Sequence, residues 1–150
     1  MATKEAAPIS AAEWEVMRVV WTAEKTTSKE ISEVLNEKMK WKPATTKTLI
    51  GRLVKKGLLH TEAEGRRYVY SPAVSESESI REASEDLLQH ICNKKVGKTL
   101  AGMLEEATLS QEDIHMLEEL LKEKKKTAPE EIMCDCLPGQ CDCHHEMKGA

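Results

Sequence analysis

The chain has 150 residues, of which 40% are apolar, 32% are charged and 3% are aromatic, with no Phe. A chain of this length forms one modest domain, or a small domain with an appendage, and so excludes a large enzyme fold. An aliphatic interior beneath a heavily charged surface is typical of a helical protein. No apolar run reaches the roughly 18 residues of a membrane span, and charges interrupt residues 1–17. We therefore expect a soluble, cytoplasmic protein with no signal peptide and no membrane partner.

Charge is distributed unevenly along the chain. Residues 1–74 carry thirteen Lys and Arg against nine Asp and Glu, a net charge of +4, whereas residues 75–150 carry nine against seventeen, a net charge of −8. Within residues 41–72, seven basic residues stand against two acidic ones. This asymmetry predicts different partners for the two halves, with nucleic acid as the candidate partner of the first.

Three helices are predicted in the first half. Ser10, with Glu13 three residues later, has the spacing of a capping box. Residues 26–28 are expected to form a loop and cap, and Pro43 suits the first turn of a helix that Gly57 stops. The first two predicted helices span 11–23 and 28–39, and the third begins at Pro43 and is stopped by Gly57. Their expected core residues are Trp14, Met17, Val20 and Trp21, then Ile31, Val34 and Leu35, then Leu49, Ile50, Leu53 and Val54, with Trp41 packed beside the third helix.

The pattern then changes from helical to strand-like. Residues 58–62 and 67–71 are rich in strand-forming residues and flank the turn-like segment 63–66, which contains Gly65. Pro72 is expected to end this hairpin. Three helices followed by a two-stranded ribbon is the order of elements in a winged helix-turn-helix DNA-binding domain.

Three further amphipathic helices are predicted over 78–92, 96–107 and 111–125, the last of them capped by Ser110 and Asp113. Their apolar stripes exceed what one small domain can cover, so we expect a homodimer. The remaining segment has too little apolar material to fold by burial alone. The predicted fold is therefore mainly α, with a winged helix-turn-helix domain over 1–74, a helical dimerisation domain over 75–126 and a cysteine-rich metal-binding tail over 127–150.

One stripe of the third helix is polar and positive. Small hydroxyl side chains that approach base edges, an Arg that pairs with guanine and lysines that meet phosphates are what a helix in the major groove requires. A charged stripe is also what an ordinary solvated helix face looks like, and the order of elements and the local charge favour DNA. The candidate DNA-binding residues are Lys42, Thr45, Thr46, Lys47, Thr48, Arg52 and Lys55 in and before the helix, with Arg66 and Arg67 at the hairpin turn.

Four of the five cysteines lie within ten residues, in the pattern C-x-C-x4-C-x-C: Cys134, Cys136, Cys141 and Cys143. Residues 137–140 can turn tightly and bring the two pairs together. Four thiolates suit tetrahedral Zn²⁺, and soft sulfur in closely spaced pairs also suits Cu(I). A purely structural zinc site, disulfides and catalytic cysteine chemistry are weaker alternatives.

Three further residues of types that can bind metal are predicted not to be ligands. His144 and His145 are expected to be solvated rather than metal ligands. Cys92 is predicted to lie on a helix beside Ile91 as a small buried thiol rather than a ligand.

Residues 41–59 (WKPATTKTLIGRLVKKGLL) and 64–72 (EGRRYVYSP) resemble the penicillinase-repressor family, which includes BlaI and MecI. The cysteine motif resembles the copper-responsive branch of that family. The resemblance covers the winged-helix half closely, the helical middle by pattern and the tail by its whole motif. Relatives often have a hydroxyl residue before the proline that starts the recognition helix, where this chain has Lys42.

The resemblance implies a homodimeric repressor that binds a pseudo-palindromic operator upstream of copper-export genes. In the branch it resembles, Zn²⁺ on the four cysteines accompanies the DNA-bound form, and Cu(I) from a copper chaperone displaces zinc and releases the DNA. Two alternatives remain: a β-lactam-responsive repressor with a structural zinc site, and a copper-buffering, metallothionein-like protein. An enzyme is not expected, because the sequence shows no paired carboxylates, no nucleophile with a base and no phosphate-binding glycine loop, and so no catalytic residue is proposed.

Overall fold

The computed structural model describes residues 8–143, which form two compact units divided between Ala83 and Ser84. The elements of the described residues are α1 (Ala11–Ala23), β1 (Thr26–Thr27), α2 (Ser28–Met39), α3 (Pro43–Lys55), β2 (Leu59–Glu64), β3 (Arg67–Pro72), α4 (Glu76–Gln89), a 3-10 turn (Asn93–Lys95), α5 (Val96–Glu106) and α6 (Gln111–Lys125). The predicted fold class is confirmed: a mostly helical chain with a winged-helix domain and a cysteine cluster beyond it.

Local hydrogen bonds explain where the helices begin. At α1 the Ser10 hydroxyl accepts from the Glu13 N–H at 3.2 Å, and the Glu13 carboxylate accepts from the Ser10 N–H at 3.0 Å, so the predicted capping box is confirmed. Ser110 and Asp113 form the predicted box at α6 in the same way. The start of α3 differs, because Lys42 provides no side-chain cap and Pro43 occupies the first turn. That proline has no N–H to satisfy there.

The sheet has three antiparallel strands in the order β1-β3-β2. The hairpin is tighter than predicted: β2 runs to Glu64, which pairs with Arg67, so that the turn is only Gly65 and Arg66. Gly65 has φ +65°, a backbone conformation that glycine adopts without strain. β3 includes Pro72 rather than stopping before it. The prediction missed β1, which two residues of a presumed loop form by pairing with β3.

The core of the first unit is aliphatic. The rings of Trp14 and Trp21 contact each other in a tilted arrangement, with a centroid distance of 5.5 Å and an interplanar angle of 57°. The Trp21 indole N–H donates to the Val74 carbonyl at 2.9 Å, and Trp41 packs against the core, as predicted. Val34 and Val54 are instead exposed, because each lies at the edge of its helix's apolar stripe. The buried apolar side chains of the core cluster are Val16, Met17, Val20, Ile31, Leu35, Leu49, Ile50, Leu53 and Leu59, and Val69 of β3 is buried as well.

One carboxylate is buried with this core and pairs with a partly exposed lysine. The Glu13 carboxylate is 2% exposed and lies 2.5 Å from the Lys56 ammonium. Burial opposes its ionisation, but the hydrogen bond from Lys56 and the Ser10 N–H outweigh that effect and hold the pKa of Glu13 below its ordinary value. Glu13 therefore serves both as half of the cap of α1 and as the partner of the residue that follows α3.

The second unit contains helices whose apolar faces lie open. Among the described residues, the exposed apolar side chains of this unit's helices include Leu87, Leu100, Met103, Leu104, Ile114, Leu120 and Leu121. α4 ends at Gln89 rather than at the predicted residue 92, since the His90 N–H bonds to the Leu87 carbonyl and tightens the last turn. Over residues 8–143, the structure has no helix that is long and apolar enough to cross a membrane.

Candidate nucleic-acid interface and metal centre

The polar stripe of α3 lies at the surface of the first unit. Thr45, Thr48, Arg52 and Lys55 are all exposed, and Leu49, Ile50 and Leu53 on the opposite side anchor the helix in the core. Lys42 and Lys47 are exposed as well. The helix has no acidic residue over Pro43–Lys55, so its outer face is uniformly neutral or positive.

One residue of the predicted DNA-binding set, Thr46, is buried. Its side chain is 0% exposed, and its hydroxyl has no hydrogen-bond partner among the described residues. Thr46 precedes Leu49, Ile50 and Leu53 by three, four and seven positions, which places it on the same buried helix face. That spacing was available in the sequence and assigns Thr46 to the core rather than to a surface that could meet DNA.

The hairpin presents the other two candidate basic residues. Arg66 lies in the turn and Arg67 begins β3, and both are exposed. Arg67 also lies close enough to Glu30 to contribute to its lowered pKa, which arises first from the Thr27 N–H and then from the Thr26 hydroxyl. Arg66 is thus the arginine at the tip of the hairpin, and Arg67 follows it at the start of β3.

The candidate basic residues are available for an anionic ligand. Within the part of the chain that the structure describes, no acidic side chain lies within salt-bridge distance of Lys42, Lys47, Arg52, Lys55, Arg66 or Arg67. Lys56 is different, because Glu13 already neutralises it. A helix face and an adjacent hairpin tip that carry unpaired positive charge have the chemistry to bind phosphates.

The second candidate site is a cluster of sulfurs in the other unit. Cys134 and Cys141 have their Sγ atoms 3.3 Å apart, and the Sγ of Cys92 lies 3.6 Å from those of Cys134 and Cys143. The Sγ atoms of Cys92, Cys134, Cys136 and Cys141 all lie within 4.8 Å of one another. Four sulfurs around a tetrahedral zinc ion, at about 2.3 Å each, are about 3.8 Å apart. The donor set and spacing therefore fit a tetrahedral thiolate metal site.

The turn between the two cysteine pairs forms as predicted. The Gln140 N–H donates to the Leu137 carbonyl at 3.0 Å, and the Gln140 side chain accepts from the Leu137 N–H at 2.8 Å. Gly139 has φ +96°, which a residue with a side chain rarely adopts. The turn reverses the chain so that Cys136 and Cys141 both reach the cluster.

Cys92 was predicted to be a buried helical thiol, and only its burial is confirmed. It lies beyond the end of α4, as the cap of the 3-10 turn Asn93–Lys95, and its side chain faces the tail cysteines. The separation of 42 residues from Cys134 left no local signal that could have joined them. His144 and His145 lie outside the described residues.

The thiols of the cluster differ in acidity. Hydrogen bonding with Cys134 is the main cause that lowers the pKa of Cys141, to about 7, whereas hydrogen bonding with Cys92 raises the pKa of Cys143 to about 12. The Lys94 N–H is the main cause that lowers the pKa of Cys92. Such a cluster shares protons among its sulfurs, and a metal ion that binds there releases them.

Comparisons with known proteins agree with this architecture. The family model for penicillinase repressors matches residues 9–123. The chain is 49% identical over 138 residues to an uncharacterised 16.5 kDa protein of Latilactobacillus sakei, an alignment that covers 92% of this chain and 94% of the relative. It is 35% identical over 127 residues to the penicillinase repressor of Bacillus licheniformis, covering 85% of this chain and 99% of that one.

Among solved structures, the B. licheniformis BlaI monomeric form in complex with the blaP half-operator is 40% identical, with a TM-score of 0.44, over 49% of this chain and 89% of that chain. The family match spans most of the described residues, and the B. licheniformis repressor aligns over nearly its whole length. This chain therefore belongs to the penicillinase-repressor family, whose members are DNA-binding transcriptional repressors and not enzymes.

Proposed function

We propose that this chain is a copper-responsive repressor of the CopY type. As a homodimer with zinc on its cysteine cluster, it binds a pseudo-palindromic operator of copper-export genes, and Cu(I) from a copper chaperone displaces zinc and releases the DNA. The observation that carries this proposal is the cluster of sulfurs, formed by Cys92 and cysteines of the tail, in a chain that also has a helix with an exposed basic face.

The first unit supports the DNA-binding part of the proposal. In this proposal Arg52 and Thr48, which are exposed on α3, read base edges, and the exposed Lys55 and Arg66 contact phosphates. The family match and the 35% identity to the B. licheniformis penicillinase repressor support the assignment of DNA as the partner here. In this proposal residues 1–74 bind DNA, 75–126 dimerise and 127–150 supply metal ligands.

The open apolar faces of the second unit support the homodimer. Leu100 and Leu104 of α5 and Leu120 and Leu121 of α6 are each at least 40% exposed. Apolar surface of this extent on helices is a normal feature of an interface with another copy. Two copies related by a two-fold axis present two recognition helices, which matches a pseudo-palindromic operator.

In this proposal the cysteine thiolates are the groups that detect copper. Sulfur ligands select Cu(I) and Zn²⁺ over hard ions such as Mg²⁺, and cysteine pairs one residue apart can bridge several Cu(I) ions. Copper releases DNA only if it binds the DNA-free conformation more tightly, by a coupling free energy on the order of 1–3 kcal/mol for typical allosteric systems. The cysteines must therefore be arranged differently in the two conformations.

An anaerobic titration of Cu(I) into zinc-loaded protein tests the proposal. The protein is first bound to a fluorescent promoter fragment, and zinc release and DNA anisotropy are followed together. We expect both signals to change at the same ratio of copper to protein, and we expect additional Zn²⁺ to have no effect. A variant with Cys134→Ser and Cys136→Ser should lose the copper response, because both substitutions remove sulfurs from the cluster.

The other outcomes identify the alternatives. If zinc leaves while DNA stays bound, the cluster is structural, and the chain is a repressor that answers another signal, such as a β-lactam. If the protein binds copper but no operator sequence, it is a metallothionein-like buffer. Either result would overturn the proposal.

A further inference from the structure

Cys92 occupies a different part of the chain from the four-cysteine motif. It caps the short turn Asn93–Lys95 between α4 and α5, and its carbonyl accepts from the Lys95 N–H at 2.8 Å. Its side chain is only 6% exposed. A thiol held in this way is fixed by the helical part of the unit rather than by the tail.

The cluster includes Cys92 as a full member. Its Sγ lies 3.6 Å from the Sγ of Cys134 and belongs to the group of four sulfurs that lie within 4.8 Å of one another. Cys143, the last cysteine of the motif, lies 3.6 Å from Cys92 but is not part of that group. The most compact set of four sulfurs in the described residues is therefore not the motif itself.

A contact that involves no sulfur connects the same two segments. The Asn93 side-chain amide donates to the Met133 carbonyl at 3.4 Å, immediately before Cys134. Asn93 follows Cys92 directly, so neighbouring residues of the turn contact neighbouring residues of the tail. This long hydrogen bond is independent support for the position of Cys92 beside the motif.

We propose that Cys92 is a metal ligand, and that the tetrahedral zinc set is Cys92, Cys134, Cys136 and Cys141. The inference rests on the proposed function to the extent that the cluster binds metal. It leaves Cys143 beside the set as a fifth thiol, available to bridge when Cu(I) replaces zinc.

This ligand set gives metal binding a direct effect on the helical region. With Cys92 as a ligand, a metal ion links the tail to the junction of α4 and α5, which are amphipathic helices with open apolar faces. A site made by the tail alone would have no such link. The metal state is then transmitted to the proposed dimerisation helices through the one ligand that lies outside the motif.

Two matched variants of the full chain test the ligand assignment, because each retains four cysteines. Zinc affinity is measured for Cys92→Ser and Cys143→Ser by competition with a chromophoric chelator, with Cys134→Ser as the positive control. We expect Cys92→Ser to lose affinity by about tenfold or more, comparable to Cys134→Ser, and Cys143→Ser to stay near wild type. With Co²⁺ in place of zinc, we expect the thiolate charge-transfer band to weaken in Cys92→Ser and not in Cys143→Ser.

The comparison remains decisive if Cys92→Ser folds poorly. Far-UV circular dichroism of the metal-free variants reports folding, and the Cys143→Ser result stands by itself. Loss of affinity in Cys143→Ser with none in Cys92→Ser overturns the assignment, as does wild-type affinity in both. Loss in both keeps Cys92 as a ligand but overturns the proposed set of four, because a tetrahedral zinc ion does not take Cys143 as a fifth sulfur.

These results are separate from the copper titration. A wild-type protein that holds zinc but keeps its DNA when copper is added contradicts the proposed function and leaves the ligand comparison valid. A wild-type protein that releases DNA on copper addition, with unchanged zinc affinity in Cys92→Ser, contradicts only the role of Cys92.

Discussion

Replacing Lys56 by Met removes the cation that faces the buried carboxylate of Glu13 and keeps most of the apolar stem. The Lys56 ammonium also donates to the Pro8 carbonyl at 3.0 Å, and the side chain is 21% exposed. Breaking a fully buried pair costs about 3–5 kcal/mol, and losing one hydrogen bond to a charged group costs about 1.5–3 kcal/mol. Since water reaches Lys56 in part and Glu13 keeps the Ser10 N–H, we expect a loss of about 2 kcal/mol in the free energy of unfolding at neutral pH.

The assay is urea unfolding of the full chain, followed by tryptophan fluorescence. Trp14, Trp21 and Trp41 all lie in the first unit, so the signal reports the unit that contains the substitution. Lys38→Met is the matched control, because Lys38 lies 2.7 Å from Glu15 in a pair with an exposed lysine. Exposed pairs contribute little to stability, so the control should lose much less.

The pH dependence has a defined sign. The folded-state pKa of Glu13 is below its ordinary value of 4.5, so its contribution to stability is present in full above that value and is lost as pH falls through the folded pKa. In Lys56→Met, the cation that lowers the pKa of Glu13 is gone, so the effect of burial, which raises this pKa, is less opposed. We therefore expect the stability difference between wild type and variant to narrow as pH falls from about 7 to about 3.5. Equal losses in Lys56→Met and Lys38→Met, or a difference that does not change with acid, would refute this reasoning.

Three substitutions test the surface that is proposed to meet DNA. Thr46→Val removes a buried hydroxyl that has no partner among the described residues, so we expect urea unfolding to show a free energy of unfolding that is higher by about 1 kcal/mol. Operator affinity should stay unchanged, and weaker binding would show that Thr46 contributes to DNA binding after all. In anisotropy titrations, Arg52→Ala should weaken binding to the specific operator by about 1–3 kcal/mol and reduce the protein's preference for that sequence. An unchanged preference would show that Arg52 does not read a base. Arg66→Ala should weaken binding to all sequences alike and reduce the slope of log affinity against log salt by about one, and a loss confined to one sequence would assign Arg66 to base contacts.

Helix positions could be predicted well because their causes are local. The observed bounds Ala11–Ala23 and Ser28–Met39 agree with the predicted ones, and the boxes at Ser10 and Ser110 form as expected. A capping box needs only two side chains three residues apart, and an amphipathic stripe needs only its period. The same period predicted the core face of α3, with two exceptions. Val54, at the edge of that face, is exposed, and Thr46, which lies within the face, was predicted to bind DNA.

Features that depend on residues far apart in the chain came only from the tertiary structure. The strand Thr26–Thr27 exists because β3 returns beside it, and two residues are too few to show a period. The pairing of Glu13 with Lys56, 43 residues later, required α1 and α3 to pack together. The motif indicated a metal site by itself, but the addition of Cys92 required the turn after α4 to lie against the tail. Contacts over such distances follow from the packing of whole elements, whereas composition, capping and periodicity record only what each segment does with its neighbours in sequence.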